Sequence, residues 1–212
     1  MKILKTDKRL VDEGYRYKIE GDLISDTCID LTDLDKGLYI TGSIEAGESI
    51  EAGESIKAGE SIKAGGSIEA GGSIKAGWSI KAGGSIEAGG SIEAGWSIEA
   101  GGSIEAGWSI EAGGSIEAGW SIEAGGSIEA GWSYGISAGL SITAKTTISF
   151  DLKIFAGVCP WRKIEDSEKT ITCTELLGSG VVEYGLLNIV KEDKKEPRTL
   201  VVDGVKYQEL TT

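Results

Sequence analysis

Between Ser43 and Trp132 the chain repeats S-I-[E/K]-A-G-x fifteen times without interruption. Ile recurs at every sixth position from Ile44 to Ile128, Ala from Ala46 to Ala130 and Gly from Gly47 to Gly131. The sixth position holds only Glu, Gly or Trp. A strict six-residue period would smear Ile around a helical cylinder. A Gly in each unit would cost a helix about 1 kcal/mol. A short strand fits instead: Ser out, Ile in, Glu or Lys out, Ala in follows the period of two. Gly and the sixth residue then turn a corner, with Gly supplying backbone freedom. A slot that accepts Glu48, Gly66 and Trp78 alike faces water or sits on that corner.

One such strand cannot bury its Ile alone. Stacked rungs bury the aliphatic side chains in a continuous column and pair their backbones about 4.8 Å apart. The unbroken Ile period argues against a disordered low-complexity tract. Looser copies extend the pattern on both sides: Leu38/Ile40 before it and, after a two-residue slip at Ser133-Tyr134, Ile136/Ala138, Ile142/Ala144, Ile148/Phe150 and Ile154/Ala156.

The repeat resembles the hexapeptide pattern of left-handed parallel β-helices, with Gly directly after the inward residue. That resemblance implies an all-β, single-stranded, three-sided parallel β-solenoid with 18 residues per coil. Fifteen hexads make five coils, and the flanks extend this to six or seven, a rod roughly 30 Å long. A two-sided coil of twelve residues is the rival. It would stack Trp96, Trp108, Trp120 and Trp132 in one column. The chain divides into an N-terminal cap (1–36), the solenoid (37–158) and a small C-terminal β subdomain (159–212). In the last, T-I-T-C-T-E-L, G-V-V-E-Y-G-L-L-N-I-V and R-T-L-V-V-D-G-V-K-Y-Q-E-L read as strands, Asp203-Gly204 as a hairpin turn, and K-E-D-K-K-E-P as a charged loop. It is a cap and a candidate homodimer surface.

Charge then sharpens the picture. The formal net charge is −13, and residues 43–132 hold 14 Glu against 4 Lys. So acidic a chain does not seek nucleic acid or an anionic membrane directly. On 18-residue coils the outward position sorts into three columns. One is wholly acidic: Glu51, Glu69, Glu87, Glu105, Glu123. The second runs Glu45, Lys63, Lys81, Glu99, Glu117, and the third Lys57, Lys75, Glu93, Glu111, Glu129. Carboxylates about 4.8 Å apart repel by roughly 0.9 kcal/mol per neighbour in water. Charge of this kind keeps a flat surface soluble. It also sets about one net charge per 2.4 Å of rod, against one per about 1.7 Å of duplex DNA. The candidate partner-binding residues are therefore Glu51, Glu69, Glu87, Glu105 and Glu123, with Glu93, Glu111 and Glu129. The corner residues Trp96, Trp108, Trp120 and Trp132 join them, since Trp is favoured at protein interfaces.

Chemistry is sparse. There is no His, hence neither the commonest general base nor the commonest metal ligand. Hexapeptide acyltransferases, which this chain resembles in the repeat, use a His base. Cys159 has only Arg162 and Lys163 close in sequence, both poor bases. Cys28, Cys159 and Cys173 are widely spaced and form no zinc pattern. No enzyme activity and no cofactor are expected. The start, M-K-I-L-K-T-D-K-R-L, lacks an apolar run of signal length, and no stretch approaches the roughly 20 apolar residues of a membrane span. A reducing cytoplasm is the simplest location.

The segments G-I-S-A-G-L-S-I, I-F-A-G-V-C-P-W-R and G-V-V-E-Y-G resemble small proteins of bacteriophages and mobile elements in Gram-positive bacteria. That likeness implies an anti-defence role, such as blocking a CRISPR or restriction complex. The charge rows suggest how: a DNA mimic occupying the basic groove of a nucleic-acid-binding protein. The rival is a self-assembling scaffold like the β-helical bactofilins.

Overall fold

The computed structural model describes residues 1–131 and 134–191 and the strand backbones of Thr199–Val202 and Val205–Gln208. Each hexad forms a three-residue strand, such as Ile68–Ala70, with Ile and Ala buried and Glu exposed between them. The strands stack into three parallel sheets, named here by their first parallel strand. The Ile29 sheet has 9 strands, the Leu23 sheet 9, and the Tyr17 sheet 10 because Val11–Asp12 joins its edge antiparallel. Successive strands alternate among the three sheets, so each residue pairs with the one 18 positions on: Ile68 with Ile86, Ile74 with Ile92, Ile80 with Ile98. This register excludes the twelve-residue coil.

The core is a column of Ile side chains with no solvent exposure, flanked by Ala. Burying each Ile contributes about 1.5–3 kcal/mol. Among the described residues no polar or charged residue is buried. The column continues across the sequence slip, where Ile116 pairs with Ile136. Near the end Phe150 takes an Ala slot, and the added ring leaves room above it only for Gly180.

The ladders reach further than the repeat. Tyr17–Ile19, Leu23–Ser25 and Ile29–Leu31 are already rungs: Y-R-Y-K-I-E-G-D-L-I, which reads as strand, turn and strand leading into the first coil, is itself part of the stack, so the N-terminal cap is shorter than residues 1–36. Thr170–Cys173, Glu175–Leu177, Val181–Tyr184 and Leu186–Ile189 continue the same three sheets in parallel. The stack is therefore longer than six or seven coils: nine parallel rungs per sheet, about 40 Å at strand spacing. The flanking rungs lack the hexapeptide motif: their inward slots mix Tyr17, Leu31, Cys173 and Val182 with Ile and Leu, in no fixed Ile–Ala order. Only Thr199–Val202 and Val205–Gln208 form a separate antiparallel pair. The Asp203-Gly204 turn and nearly all of K-E-D-K-K-E-P lie outside the described residues.

Glycine in the repeat has a different reason from the expected one. Positive φ occurs at Gly14, Gly21, Gly157, Gly178 and Gly185, none of them in the repeat. A Cβ on Gly113 would instead land on the carbonyl oxygen of Gly95, one rung below, and the same holds along each corner. Close approach of consecutive rungs excludes a side chain there. Serine also does more than face water. Ser67 donates its N–H to the Ser49 hydroxyl at 3.2 Å, and Ser73, Ser85, Ser91 and Ser103 repeat the bond. Each hydroxyl thus satisfies a corner N–H on the rung above. After a Trp corner the contact becomes hydroxyl to hydroxyl, as in Ser91 to Ser109 at 3.2 Å.

Candidate partner-binding face

Because residue i pairs with i+18, the outward columns follow directly from the sequence. Asp30, Glu51, Glu69, Glu87, Glu105 and Glu123 stand in consecutive register on the Ile29 sheet. Thr143 and Thr172 continue the column above them. At the foot, Asp30 is neutralised by Lys2 and accepts hydrogen bonds from Thr32. The five Glu above it are exposed and make no ion pair among the described residues. Glu105, in the middle, has its pKa raised by partial desolvation and by Glu87 and Glu123 on either side.

The other two faces are mixed, and opposite charges pair where Lys gives way to Glu on the rung above. Lys75 bonds Glu93 on the Tyr17 sheet, and Lys81 bonds Glu99 at 2.6 Å on the Leu23 sheet. Glu93 and Glu99 are accordingly half-buried, while Glu111 and Glu129 above Glu93 are exposed. From Lys81 to Lys145 the sequence has no basic residue, so over these rungs every face is acidic.

A shallow groove of about 730 Å³ follows the acidic column, walled by the Glu row and floored by Ala and Gly up to Lys145. Its origin is the repeat: a long side chain beside a small inward residue and a bare corner. The other two faces carry similar, smaller grooves of about 480 and 400 Å³. The groove is thus a property of the fold, and only its continuous carboxylate wall distinguishes the Ile29 sheet.

The Trp residues do not form one column. Trp108 lies on the corner between Glu105 and Glu111, and Trp120 on the corner between Glu117 and Glu123. These two corners border the Ile29 sheet on its two sides. Trp78 and Trp96 stack on the remaining corner, away from that sheet, where Trp96 donates its N–H to the Trp78 carbonyl at 2.9 Å. All four are exposed. Trp132 lies outside the described residues. The fold therefore brings Trp108 and Trp120 to the acidic face and separates Trp96 from it.

A further aromatic was missed in the sequence. The loop between Ala156 and Thr170 leaves the coil, braced by Arg162 on Glu168 at 2.7 Å, and sets Trp161 with Cys159 beside Trp120 and Leu140. The abrupt loss of period after Ala156 was the only signal for that excursion. Cys159 and Cys28 are half-buried free thiols, and Cys28 donates to Glu48 at 3.0 Å. Burial raises the pKa of the Cys173 thiol. Among the described residues no helix is long and apolar enough to cross a membrane. No protein-family model, no curated protein and no solved structure matches the chain.

Proposed function

We propose that this protein is a non-catalytic acidic rod that binds the basic groove of a nucleic-acid-binding protein and displaces its nucleic acid. The observation that carries this reading is the row Glu51, Glu69, Glu87, Glu105, Glu123, held in register without counter-charges among the described residues. A strand spacing of about 4.8 Å holds these side chains on a rigid backbone, so a basic partner meets them without backbone ordering, and only side-chain rotamer freedom is lost. Alternating Lys and Glu would relieve the repulsion along the column, and the sequence does not use it there. Trp108 and Trp120, bordering the acidic face, supply the aromatic anchors that a purely electrostatic surface lacks. The setting we propose is the bacterial cytoplasm, where such a mimic would block a CRISPR or restriction complex.

The test is capture by the immobilised protein from a bacterial lysate, followed by elution with duplex DNA. A bound protein that is released both by raised salt and by DNA supports mimicry. The triple variant Glu87→Lys, Glu105→Lys, Glu123→Lys should lose the capture while keeping its β circular-dichroism spectrum. Capture that survives the triple reversal, or that duplex DNA cannot displace, overturns the proposal.

A further inference from the structure

The two ends of the rod are closed differently. At the first rung the inward residues Ile19, Leu23 and Ile29 are no more than 2% exposed, because the first residues of the chain fold across them. Ile3 is fully buried and donates its N–H to the Asp30 carbonyl at 2.9 Å. Lys2 bridges Asp30 in parallel, and Val11–Asp12 pairs with the free edge of Tyr17–Ile19. At the last rung, Leu187 stands above Ile171 and Ile189 above Cys173 in the same inward columns. Ile171 and Cys173 are 0% and 1% exposed, whereas Leu187 is 46% and Ile189 39% exposed. Leu186 and Val181 beside them are exposed as well.

Glu175–Leu177, Val181–Tyr184 and Leu186–Ile189 are the terminal strands of their three sheets, and the pair Thr199–Val202/Val205–Gln208 forms a sheet of its own. This end therefore presents three strand edges around an apolar centre. Such edges are templates for pairing with another strand.

We infer that this end is the interface of a tail-to-tail dimer, occupied by a second copy of the chain. A second copy related by a two-fold axis presents the same triangular outline, the same apolar centre and three complementary edges. Charge favours that approach over side-by-side contact of the rods. Residues 145–191 carry six basic and six acidic side chains, so two such ends meet without net repulsion. Residues 91–144 carry seven Glu and no basic residue, so the flanks of two rods repel. The first rung, whose inward residues lie under the first residues of the chain, offers no apolar centre to the open end, so assembly stops at two and does not grow into a filament. This inference is independent of the proposed partner.

Light scattering on the full chain during size exclusion tests the mass, and small-angle X-ray scattering tests the arrangement. The expected result is twice 22.1 kDa with a rod lengthened from about 40 Å to about 80 Å. Leu187→Lys and Ile189→Lys, each alone, change exposed side chains of the apolar centre and should raise the dissociation constant at least about tenfold with an unchanged β spectrum. Should one variant fail to fold, the other still reports. A monomer at about 100 μM, a side-by-side dimer of unchanged length, or a dimer indifferent to both folded variants overturns the inference.

Discussion

Lys81 donates to the carboxylate of Glu99 at 2.6 Å, one rung above it, and this pair closes the basic part of its face. Glu117 and Ser137 follow in register. The Lys75–Glu93 pair marks the same change on the neighbouring face. The rod is thus electrically lopsided: mixed below these pairs, and acidic above them as far as Lys145. Both pairs are solvent-exposed, where an ion pair contributes little to stability. Lys81→Glu should leave the urea midpoint nearly unchanged and strengthen retention of a basic partner at low salt. Unchanged retention would mean that the acidic region ends at Glu99 for functional purposes.

The pH response of the acidic column has a defined sign. The pKa of Glu105 is raised in the folded state above its ordinary value of 4.5. The folded chain therefore binds a proton more readily than the unfolded one, and stability rises as pH falls through the raised pKa. That gain is complete below 4.5. Asp7, paired with Arg9, and Glu168, paired with Arg162, behave oppositely, each lowered to about 2. Their contribution is present above the ordinary carboxylate values and disappears as pH falls toward 2. Glu105→Gln should therefore raise the thermal midpoint at neutrality, and its advantage over the unchanged chain should shrink as pH falls toward 4.5, where the Glu105 carboxyl takes up a proton. A variant no more stable than the unchanged chain at pH 7 would contradict the repulsion along the column.

Adjacent glycines should respond very differently to one methyl group. Gly113→Ala drives a Cβ into the Gly95 carbonyl, whereas the nearest atom to a Cβ on Gly114 is the Trp96 carbonyl oxygen at 3.1 Å. Overpacking against backbone costs about 1–3 kcal/mol. Gly113→Ala should lose stability in that range, and Gly114→Ala much less, when both are measured by urea denaturation. Equal losses would show that corner geometry, not close approach, restricts the site.

Ser85 accepts the N–H of Ser103 at 3.2 Å. Ser85→Ala removes the acceptor from a half-buried donor and should cost about 1 kcal/mol. Ser109→Ala is the useful contrast, since Ser91 and Ser109 meet through their hydroxyls. It should cost less in the same denaturation measurement.

The repeat made the core legible. Ile and Ala at fixed spacing could only face inward, and once three strands per coil were chosen the column Glu51 to Glu123 followed. The ends were harder to read because a rung needs only inward apolar residues, and Tyr17, Leu23, Val182 and Leu187 meet that need without repeating a motif. Corner geometry was invisible for another reason. The repeat sets Gly113, in the invariant slot, apart from Gly114, in the slot that also takes Glu and Trp, but the reason is the carbonyl of the rung below, which no sequence spacing shows. The Trp spacing of twelve pointed to one stripe, but on an 18-residue coil it places Trp96, Trp108 and Trp120 on three different corners.

That mismatch between a unit of six and a coil of 18 governs how the molecule tolerates changes in length. Excising three successive units shortens the rod by one storey and leaves each vertical row of side chains intact. Excising a single unit also preserves the Ile column, but it turns everything above the cut by one third of a revolution. Glu105 and Glu123 would then continue a row begun by different residues, and the unbroken acidic wall would be spliced to one containing lysine. Changes in copy number thus act as a rotary shuffle of the surface, silent to the hydrophobic interior and restored at every third step.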